Sequence, residues 1–455
     1  MEHVDVVVVG AGVSGLTAAR LLSAAGQRVV VLEARERIGG RVHTERSGGR
    51  ITDLGASWIH GIEHSALAET TAAFGMPTVE FTVGSYQAGG RPIAYYGPEG
   101  DRLDAQATAQ FIADVALVDA HLADVIAAAA PATSYATVAE AAVARAAAEG
   151  AWPEDRGARV LEYLRHRSEE QYGADATMLD AHGLDDDAIE GDEVVFPEGY
   201  DTLASHLAAG LDVRLEHVVT AVTRRSGGSA SSDSAGGVEV ETDRGRFTAS
   251  QAVVTVPVGV LQSGGIVFDP PLPEPIAEAL AGLSMNAFEK VFLRFPERFW
   301  ESDVYAIRRQ GAAAAWWHSW YDLTALHGEP TLLTFAAGEC AQQIRDWSDE
   351  RIVASVLASL RELYGPAVPD PVHAQVTRWQ QDPWAGGAYA YMTVGSRPED
   401  HDLLATPVDG VLHLAGEATW TEDPATVTAA LASGHRAAER ILGRELPYSS
   451  LYGGN

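Results

Sequence analysis

The stretch from Val4 to Arg41, VDVVVVGAGVSGLTAARLLSAAGQRVVVLEARERIGGR, decides the fold of this chain. Its first apolar run predicts a buried parallel strand. A G-x-G-x-x-G turn follows, then a helical pattern, then a second apolar run that ends at Glu33. This order of strand, glycine turn, helix and strand is typical of a unit that binds a dinucleotide. A glycine-rich turn that binds nothing is the alternative interpretation.

Each conspicuous residue of this unit has a physical reason to be there. Gly10 permits the tight turn, and Gly12 lets the backbone approach a pyrophosphate. Gly15 lets the helix pack closely on the strand, while the N-terminus of the helix faces the phosphate charge. Glu33 is placed to accept hydrogen bonds from a ribose diol. The unit is therefore predicted to bind the nucleotide part of a cofactor.

The length, net charge and cysteine content of the chain argue for some classes of protein and partner and against others. The 455 residues are enough for two domains, and a net charge of -31 disfavours nucleic acid and anionic membranes as partners. The charge fits a small cationic substrate, or it simply keeps the protein soluble. With Cys340 as the single cysteine and no signal-peptide or membrane-span pattern, we expect a cytoplasmic protein.

Several blocks resemble those of one family. The segment E-A-x-x-R-x-G-G-R at 33–41 is similar to the signature of FAD proteins of the glutathione reductase type, the flavin amine oxidases in particular. The D-L-G-A-S-W-I-H-G block at 53–61 and the P-A-T-V block at 424–427 resemble the polyamine oxidase branch. The N-A-F-E-K-V-F-L-R-F-P-E-R-F-W block at 286–300 resembles both polyamine oxidases and histone-lysine demethylases of the flavin type. The likeness covers nearly the whole chain, with the blocks in the family's order.

The resemblance implies an α/β fold in two interleaved parts. A Rossmann-like FAD-binding domain of the glutathione reductase type would comprise residues 1–77, 190–283 and 379–455. An α+β substrate-binding domain, built on a mixed sheet with helices, would comprise 78–189 and 284–378. Helical patterns over 105–130, 137–149 and 153–171 belong to the second part.

Together with the glycine turn, the resemblance implies a set of cofactor contacts. Arg41 would meet the pyrophosphate, and Glu417 would bond the ribityl chain or a nearby hydroxyl on the phosphate side. The predicted cofactor-binding residues are Gly10, Gly12, Val13, Ser14, Gly15, Glu33, Ala34, Arg35, Gly39, Gly40, Arg41, Gly55, Ala56, Ser57, Trp58, Val218, Trp379, Trp384, Gly416, Glu417, Thr426 and Val427. Ala388 stands where monoamine oxidases carry the cysteine that bonds the flavin, so noncovalent FAD is expected.

The same resemblance implies roles in catalysis. Lys290 would hold a water beside flavin N5 and assist reoxidation by O2, whereas a lysine that reaches solvent from the strand edge is the alternative. Tyr389 would form one wall of an aromatic cage, unless the aromatic residues are simply core. His60 would lie near the substrate amine or serve as a structural hydrogen-bonding group. Thr426 stands at the second cage position, a tyrosine in monoamine oxidases.

The implied function is oxidation of a primary or secondary (poly)amine to an imine or aldehyde, with O2 reduced to H2O2. The partners would be a small cationic amine and O2, without nucleic acid, membrane or metal, and the chain would be a monomer or homodimer. A flavin oxidase or desaturase of an alkaloid, amino acid or porphyrinogen stays an alternative, as does a catalytically quiet flavin-binding scaffold. Arg308 and Arg309 have the chemistry to pair with a carboxylate.

Two further segments invite interpretation. Acidic residues between 180 and 193 either attract a cation or form a solvated loop, and their spacing is not that of a Ca²⁺ loop. The segment SGGSASSDSAGG at 226–237 is typical of a flexible hairpin loop. Ala429 replaces a glycine of the family pattern, so the pocket beside it is expected to differ in shape.

Overall fold

The computed structural model describes residues 2–82, 92–184, 190–225 and 236–453. Three residues of the acidic segment (Asp185, Asp186 and Asp187) and most of the 226–237 loop lie outside these ranges. In chain order the strands are β1 (Glu2–Val9), β2 (Val29–Leu32), β3 (Thr44–Ser47), β4 (Arg50–Asp53), β5 (Trp58–Ile59), β6 (Val79–Glu80), β7 (Ile93–Tyr96), β8 (Val194–Val195), β9 (Asp212–Arg214), β10 (Val219–Arg225), β11 (Gly237–Thr242), β12 (Gly245–Val254), β13 (Val267–Asp269), β14 (Leu283–Met285), β15 (Phe288–Arg294), β16 (Ala306–Arg309), β17 (Ser319–Asp322), β18 (Thr331–Ala337), β19 (His373–Val376), β20 (Ala390–Met392) and β21 (Leu412–Leu414).

The helices alternate with these strands along the chain. They are α1 (Val13–Ala24), α2 (Ala66–Ala73), α3 (Ala105–Ala128), α4 (Tyr135–Gly150), α5 (Glu154–Tyr172), α6 (Thr202–Ala208), α7 (Val258–Gln262), α8 (Glu274–Ala281), α9 (Thr324–His327), α10 (Gly338–Ile344), α11 (Asp349–Tyr364), α12 (Glu399–Leu404) and α13 (Val427–Leu442). The three helices expected over 105–171 are present as α3, α4 and α5. Within the described ranges, no helix is both long and apolar enough to cross a bilayer.

The first sheet has the strand order β13-β10-β11-β12-β1-β2-β9, and β21 also pairs with β12. Its central strands β21, β12, β1, β2 and β9 run parallel, with Val9 opposite Leu32 and Val254. The valines of β1 are almost completely buried because helices cover one face of these strands and further apolar side chains the other. The parallel sheet places the glycine turn and Glu33 at the carboxyl ends of adjacent strands.

The glycine turn depends on a close approach between backbone atoms. A Cβ atom added at Gly15 would lie 2.0 Å from the carbonyl oxygen of Gly10. Helix α1 therefore packs on the turn only because residue 15 has no side chain. The packing role predicted for Gly15 is confirmed.

The second sheet has the order β19-β15-β18-β17-β16-β7. Every residue of β15 is buried, because β18 and β19 flank it and side chains cover both faces. Helices α3, α4 and α5 form a separate apolar cluster against Tyr95 and Tyr391. The strands of the first sheet come from 1–77, 190–283 and 379–455, and those of the second from 78–189 and 284–378. The fold class is confirmed; the division into two domains stays a prediction.

Candidate active site and cofactor cavity

A cavity of about 1240 Å³, here called the main cavity, extends from the glycine turn to β15. It exceeds the roughly 300–1,000 Å³ typical of small-molecule sites, which suits an elongated ligand. The predicted site residues that line it are Gly10, Gly12, Val13, Ser14, Glu33, Ala34, Arg35, Gly39, Gly40, Arg41, Gly55, Ala56, Ser57, Trp58, His60, Val218, Lys290, Trp379, Trp384, Tyr389, Gly416, Glu417, Thr426 and Val427. Gly15 lies behind the turn and is absent from the lining.

At the nucleotide end, Glu33 is held by the backbone. Its Oε2 accepts a hydrogen bond from the Ala11 amide at 2.7 Å, and its Oε1 accepts one from the Arg35 amide at 2.9 Å. Each carboxylate oxygen keeps a lone pair for a further donor, such as a hydroxyl group. The side chain of Arg35 is directed elsewhere, since it forms a bidentate ion pair with Asp382 at 2.6 and 2.8 Å.

Two observations test whether the cavity fits a dinucleotide flavin. A Cβ atom added at Gly12 has no protein atom within 4 Å, so the backbone there faces open cavity. The Glu417 Oε2 atom is buried and lacks a hydrogen-bond partner among the described residues. A buried carboxylate oxygen without a donor is costly unless a ligand supplies one. The residues present fit FAD: Gly12 would leave room for the pyrophosphate, and Glu417 would offer an acceptor to a hydroxyl.

An ion pair between distant segments forms part of the lining of the main cavity. Arg41 Nη1 lies 2.7 Å from Glu417 Oε1 and donates a second hydrogen bond to the Ala388 carbonyl at 3.2 Å. Trp379 and Trp384 are fixed nearby: the Trp379 indole N–H donates to the Leu54 carbonyl at 2.9 Å, and the Trp384 amide donates to Asp382 Oδ1 at 2.8 Å. These bonds and the Arg35–Asp382 ion pair connect residues 379–384 to the N-terminal part of the chain.

Gly55 lets two segments of the backbone approach each other closely. A Cβ atom at Gly55 would lie 1.8 Å from the Arg41 carbonyl oxygen, so what approaches is the chain itself. Gly55 therefore shapes the main cavity by letting two backbone segments of its wall meet.

Lys290 is buried, and the alternative of a lysine that reaches solvent is wrong. Its ammonium group donates to the carbonyl oxygens of Asp53 and Gly55 at 3.2 and 2.6 Å, and to Ser57 Oγ at 2.5 Å. Burial lowers the pKa of Lys290 to about 8, because desolvation disfavours the charged amine more than the nearby Asp53 carboxylate favours it. Burial likewise raises the pKa of Asp53 to about 6.

Aromatic rings surround this end of the main cavity. The centroid of the Phe288 ring lies 5.7 Å from that of Tyr389 and 4.9 Å from that of Phe335. Phe335 also contacts Trp58 and Tyr321, at 6.5 and 5.4 Å between centroids. Faces of aromatic rings attract cations and orient flat apolar groups. The end of the cavity next to Lys290 is therefore suited to an amine.

The two other predicted catalytic residues have structural partners. His60 Nδ1 pairs with Glu193 Oε1; the carboxylate side chain is 2% exposed and the imidazole 52%. The Thr426 hydroxyl caps helix α13, accepting from the Ala429 amide at 3.0 Å and donating to the Asp423 carbonyl at 2.7 Å. Both side chains line the main cavity, but the hydroxyl of Thr426 is already engaged.

One polar group in the main cavity was missed from the sequence. Glu170 of α5 accepts hydrogen bonds from Arg308 at 3.0 Å and from the Tyr321 hydroxyl at 2.9 Å. Arg308 and Arg309, whose chemistry suits a carboxylate, pair with Glu170 and Glu362 of the chain itself. The only signal was a carboxylate on the buried face of an amphipathic helix, which alone does not indicate a site.

Comparisons with known proteins agree on one family. The model described as "Flavin containing amine oxidoreductase" matches residues 13–442. Polyamine oxidase 2 of Arabidopsis thaliana is 32% identical over 452 residues, covering 96% of this chain and 87% of that protein. Lysine-specific histone demethylase 2 of Homo sapiens is 31% identical, and the chain spans 53% of its length. A structure of putrescine oxidase bound to putrescine shares the fold, with a TM-score of 0.78, 24% identity and coverage of 97% and 99%.

Proposed function

Because the chain belongs to the flavin-containing amine oxidoreductase family and is an FAD-dependent amine oxidase, we propose that it oxidises a diamine or polyamine and reduces O2 to H2O2. The observation that carries the proposal is the position of Lys290. A buried ammonium, held by three acceptors, lies beside an aromatic end of a cavity whose other end has the features of a nucleotide site.

The substrate class is supported by the charge and aromatic character of the cavity. The rings of Tyr389 and Phe288, in contact at 5.7 Å between centroids, form an aromatic wall of the main cavity against which an alkylamine packs. The Glu193 carboxylate lines the same cavity and is nearly completely buried, so it attracts a second cationic group on a long substrate. Relatives named polyamine oxidase and putrescine oxidase agree with this class of substrate.

Different residues would contribute to different parts of the reaction. FAD, when bound, supplies an acceptor for a hydride and its two electrons. Gly12, Glu33 and Glu417 would hold the nucleotide and ribityl parts of FAD. The aromatic walls orient the amine and exclude water from the reacting carbon. Lys290 Nζ, with a pKa near 8, keeps a proton at neutral pH that is available for the reduction of O2.

Noncovalent attachment of FAD is part of the same proposal, and Ala388 supports it. This residue lines the main cavity, and its side chain lacks a nucleophile that would bond the flavin ring. Acid precipitation of the yellow protein is expected to leave the colour in the supernatant, and colour in the pellet would contradict noncovalent binding. A cytoplasmic location and a monomeric or homodimeric state remain proposed as well.

The decisive experiment follows flavin absorbance without air while amines are added one at a time. We expect putrescine or a longer polyamine to bleach the flavin, and admission of air to restore the colour with one H2O2 formed per flavin reduced. If only an amino acid or only an alkaloid bleaches the flavin, the proposed substrate class is wrong and the class of that compound takes its place. If intact FAD stays oxidised with every amine, the proposal is wrong and a quiet scaffold or a desaturase becomes the better description.

A further inference from the structure

A second cavity, of about 410 Å³, lies on the other side of the residues that hold Lys290. Ser57 and Trp58 line both cavities, whereas Lys290 lines only the main one. Asp53, whose carbonyl oxygen also accepts from Lys290, lines the second cavity. The ammonium group of Lys290 is thus in contact with the wall that separates the two spaces.

Ser57 is the polar element of that wall. Its Oγ lies 2.5 Å from Lys290 Nζ, and the hydroxyl donates weakly to the carbonyl oxygens of Asp53 and Gly55 at 3.3 and 3.4 Å. Around it the wall is aromatic, since the Nζ atom lies 5.5 Å from the ring centroid of Trp58 and 6.0 Å from that of Phe292. A proton that enters or leaves Lys290 from this side therefore has to pass through the Ser57 hydroxyl.

The second cavity is lined by charged groups where it meets solvent. Arg50 and Glu329 form an ion pair at 2.7 Å with side chains 34% and 31% exposed, and His327 lies next to them in the lining. At the inner end are the polar groups of Asp53 and Ser57. A space of this volume with charged and polar groups at both ends holds water rather than remaining dry. Water molecules in it would connect the surface with Ser57.

We infer that the second cavity is a water-filled route by which solvent returns a proton to Lys290 through the Ser57 hydroxyl, without passing the substrate. The inference rests on the proposed function, in which Lys290 gives a proton during reduction of O2. Ser57 is then a relay that takes a proton from cavity water and passes its own to the Nζ atom, and Lys290 returns to its charged form for the next turnover.

The proton count of the reaction requires such a source. Removal of a hydride from a neutral amine leaves the protonated imine, which departs with its N–H protons. Reduction of one O2 to one H2O2 takes two electrons and two protons. The hydride supplies both electrons and one proton, so the second proton has to come from the protein and finally from solvent. While substrate or product fills the main cavity, a separate route keeps this supply open.

Access to Ser57 can be measured without any catalysis. The Ser57→Cys variant is labelled with methyl methanethiosulfonate in the presence of saturating FAD. Peptide mass mapping then gives the rate of thiol labelling at position 57, with the buried Cys340 as the internal reference. We expect Leu326→Trp, which enlarges a side chain of the second cavity, to slow labelling at least tenfold. Leu122→Trp, at a half-buried position that lines neither cavity, is the matched control and should leave the rate unchanged.

If Ser57→Cys fails to fold, Val195→Cys takes its place, because Val195 lines the second cavity only. Labelling that Leu326→Trp does not slow would overturn the route. This outcome would leave the proposed amine oxidation untouched, since the labelling requires no substrate.

The proton role is tested on enzyme reduced photochemically, so that no amine is required. After mixing with O2, we expect reoxidation to be about tenfold slower in Leu326→Trp and Ser57→Ala than in the parent, with a larger solvent deuterium isotope effect, while Ser57→Thr stays within threefold. Parent rates in both slow variants would overturn the relay. The relay would also be overturned if a higher O2 concentration alone restored the slow rates without a change in the isotope effect, because the second cavity would then carry O2.

Discussion

Arg41 and Glu417 stand 376 positions apart in the chain, yet their side chains meet at 2.7 Å inside the main cavity. Both are largely shielded from solvent, with side-chain exposures of 21% and 7%. Removal of one member of such a pair leaves an uncompensated charge, which costs on the order of 3 kcal/mol. The contact therefore joins the first nucleotide unit to the last segment of the cofactor site.

Glu417→Ala is expected to lower the free energy of unfolding of the apoprotein by about 3 kcal/mol, because Arg41 then lacks its carboxylate. Urea denaturation followed by tryptophan fluorescence measures the change. Glu417→Gln, which retains an acceptor for Arg41, should lose less than half as much. Equal stability of all three proteins would show that the ion pair does not hold the two segments together.

Gly12 and Gly15 give a matched pair of substitutions in one turn. Gly12→Ala places a methyl group in open cavity, so the apoprotein should unfold at the parent temperature while FAD binds about a hundredfold more weakly, a loss near 2.7 kcal/mol. Gly15→Ala forces a Cβ atom against the Gly10 carbonyl and should cost about 3 kcal/mol of stability. Thermal unfolding and FAD titration separate the effects; a stable Gly15→Ala protein, or full FAD affinity in Gly12→Ala, would contradict the packing described.

The pH dependence of flavin reoxidation should follow the protonation of the Lys290 amine. Its pKa is lowered from 10.5 to about 8, so the protonated amine is present below about pH 8 and is lost as pH rises through that value. The rate of flavin reoxidation by O2 is expected to fall in the same interval. Lys290→Met should be slow at every pH while retaining FAD. A parent profile that is flat from pH 6 to 10 would remove the proposed role of the amine.

Asp53→Asn tests the electrostatic part of that pKa. The Asp53 carboxylate raises the pKa of Lys290 against the larger effect of desolvation, so removal of its charge should move the alkaline limb of the profile below pH 8. Stopped-flow reoxidation from pH 6 to 10 measures the shift. A limb that stays in place, or moves towards higher pH, would indicate that the carboxylate does not act on Lys290.

Glu193 should contribute to the choice of substrate. Glu193→Gln removes the buried charge beside His60, and the KM for a diamine is expected to rise about tenfold, equivalent to roughly 1.4 kcal/mol. A monoamine with the same alkyl chain has no second cation to lose, so its KM should change by less than about threefold. Steady-state rates with both substrates provide the comparison. Equal effects on the two amines would mean that Glu193 acts only through the structure around it.

The local patterns of the sequence predicted the fold class well. The strand, turn, helix and strand from Val4 to Glu33 show up as periodicity and glycine spacing, which depend on neighbours in the chain. Lys290 stood out because a lysine within an apolar strand is costly without a partner. These features need no knowledge of distant residues, and the structure contains them where the sequence placed them.

Contacts between distant segments could not be predicted in the same way. The grouping of Glu170 with Arg308 and Tyr321 joins a helix to two strands more than a hundred positions away, and helical periodicity marks Glu170 only as a residue on a buried face. The approach that Gly55 permits is likewise made by the Arg41 backbone, which no spacing in the sequence indicates. The assignment of residues to FAD and substrate stays a prediction that the variants above test.

The way the first sheet is assembled has a consequence for biosynthesis. Strand β1 pairs with β12, which pairs with β21, and α1 packs against α13. At roughly 5–20 residues per second, a ribosome needs about 20 to 90 s to reach the end of α13. During this time the nascent strands expose apolar faces and unpaired edges, which invite aggregation. Co-expressed chaperones, which cover such faces and edges during synthesis, should therefore raise the yield of folded protein.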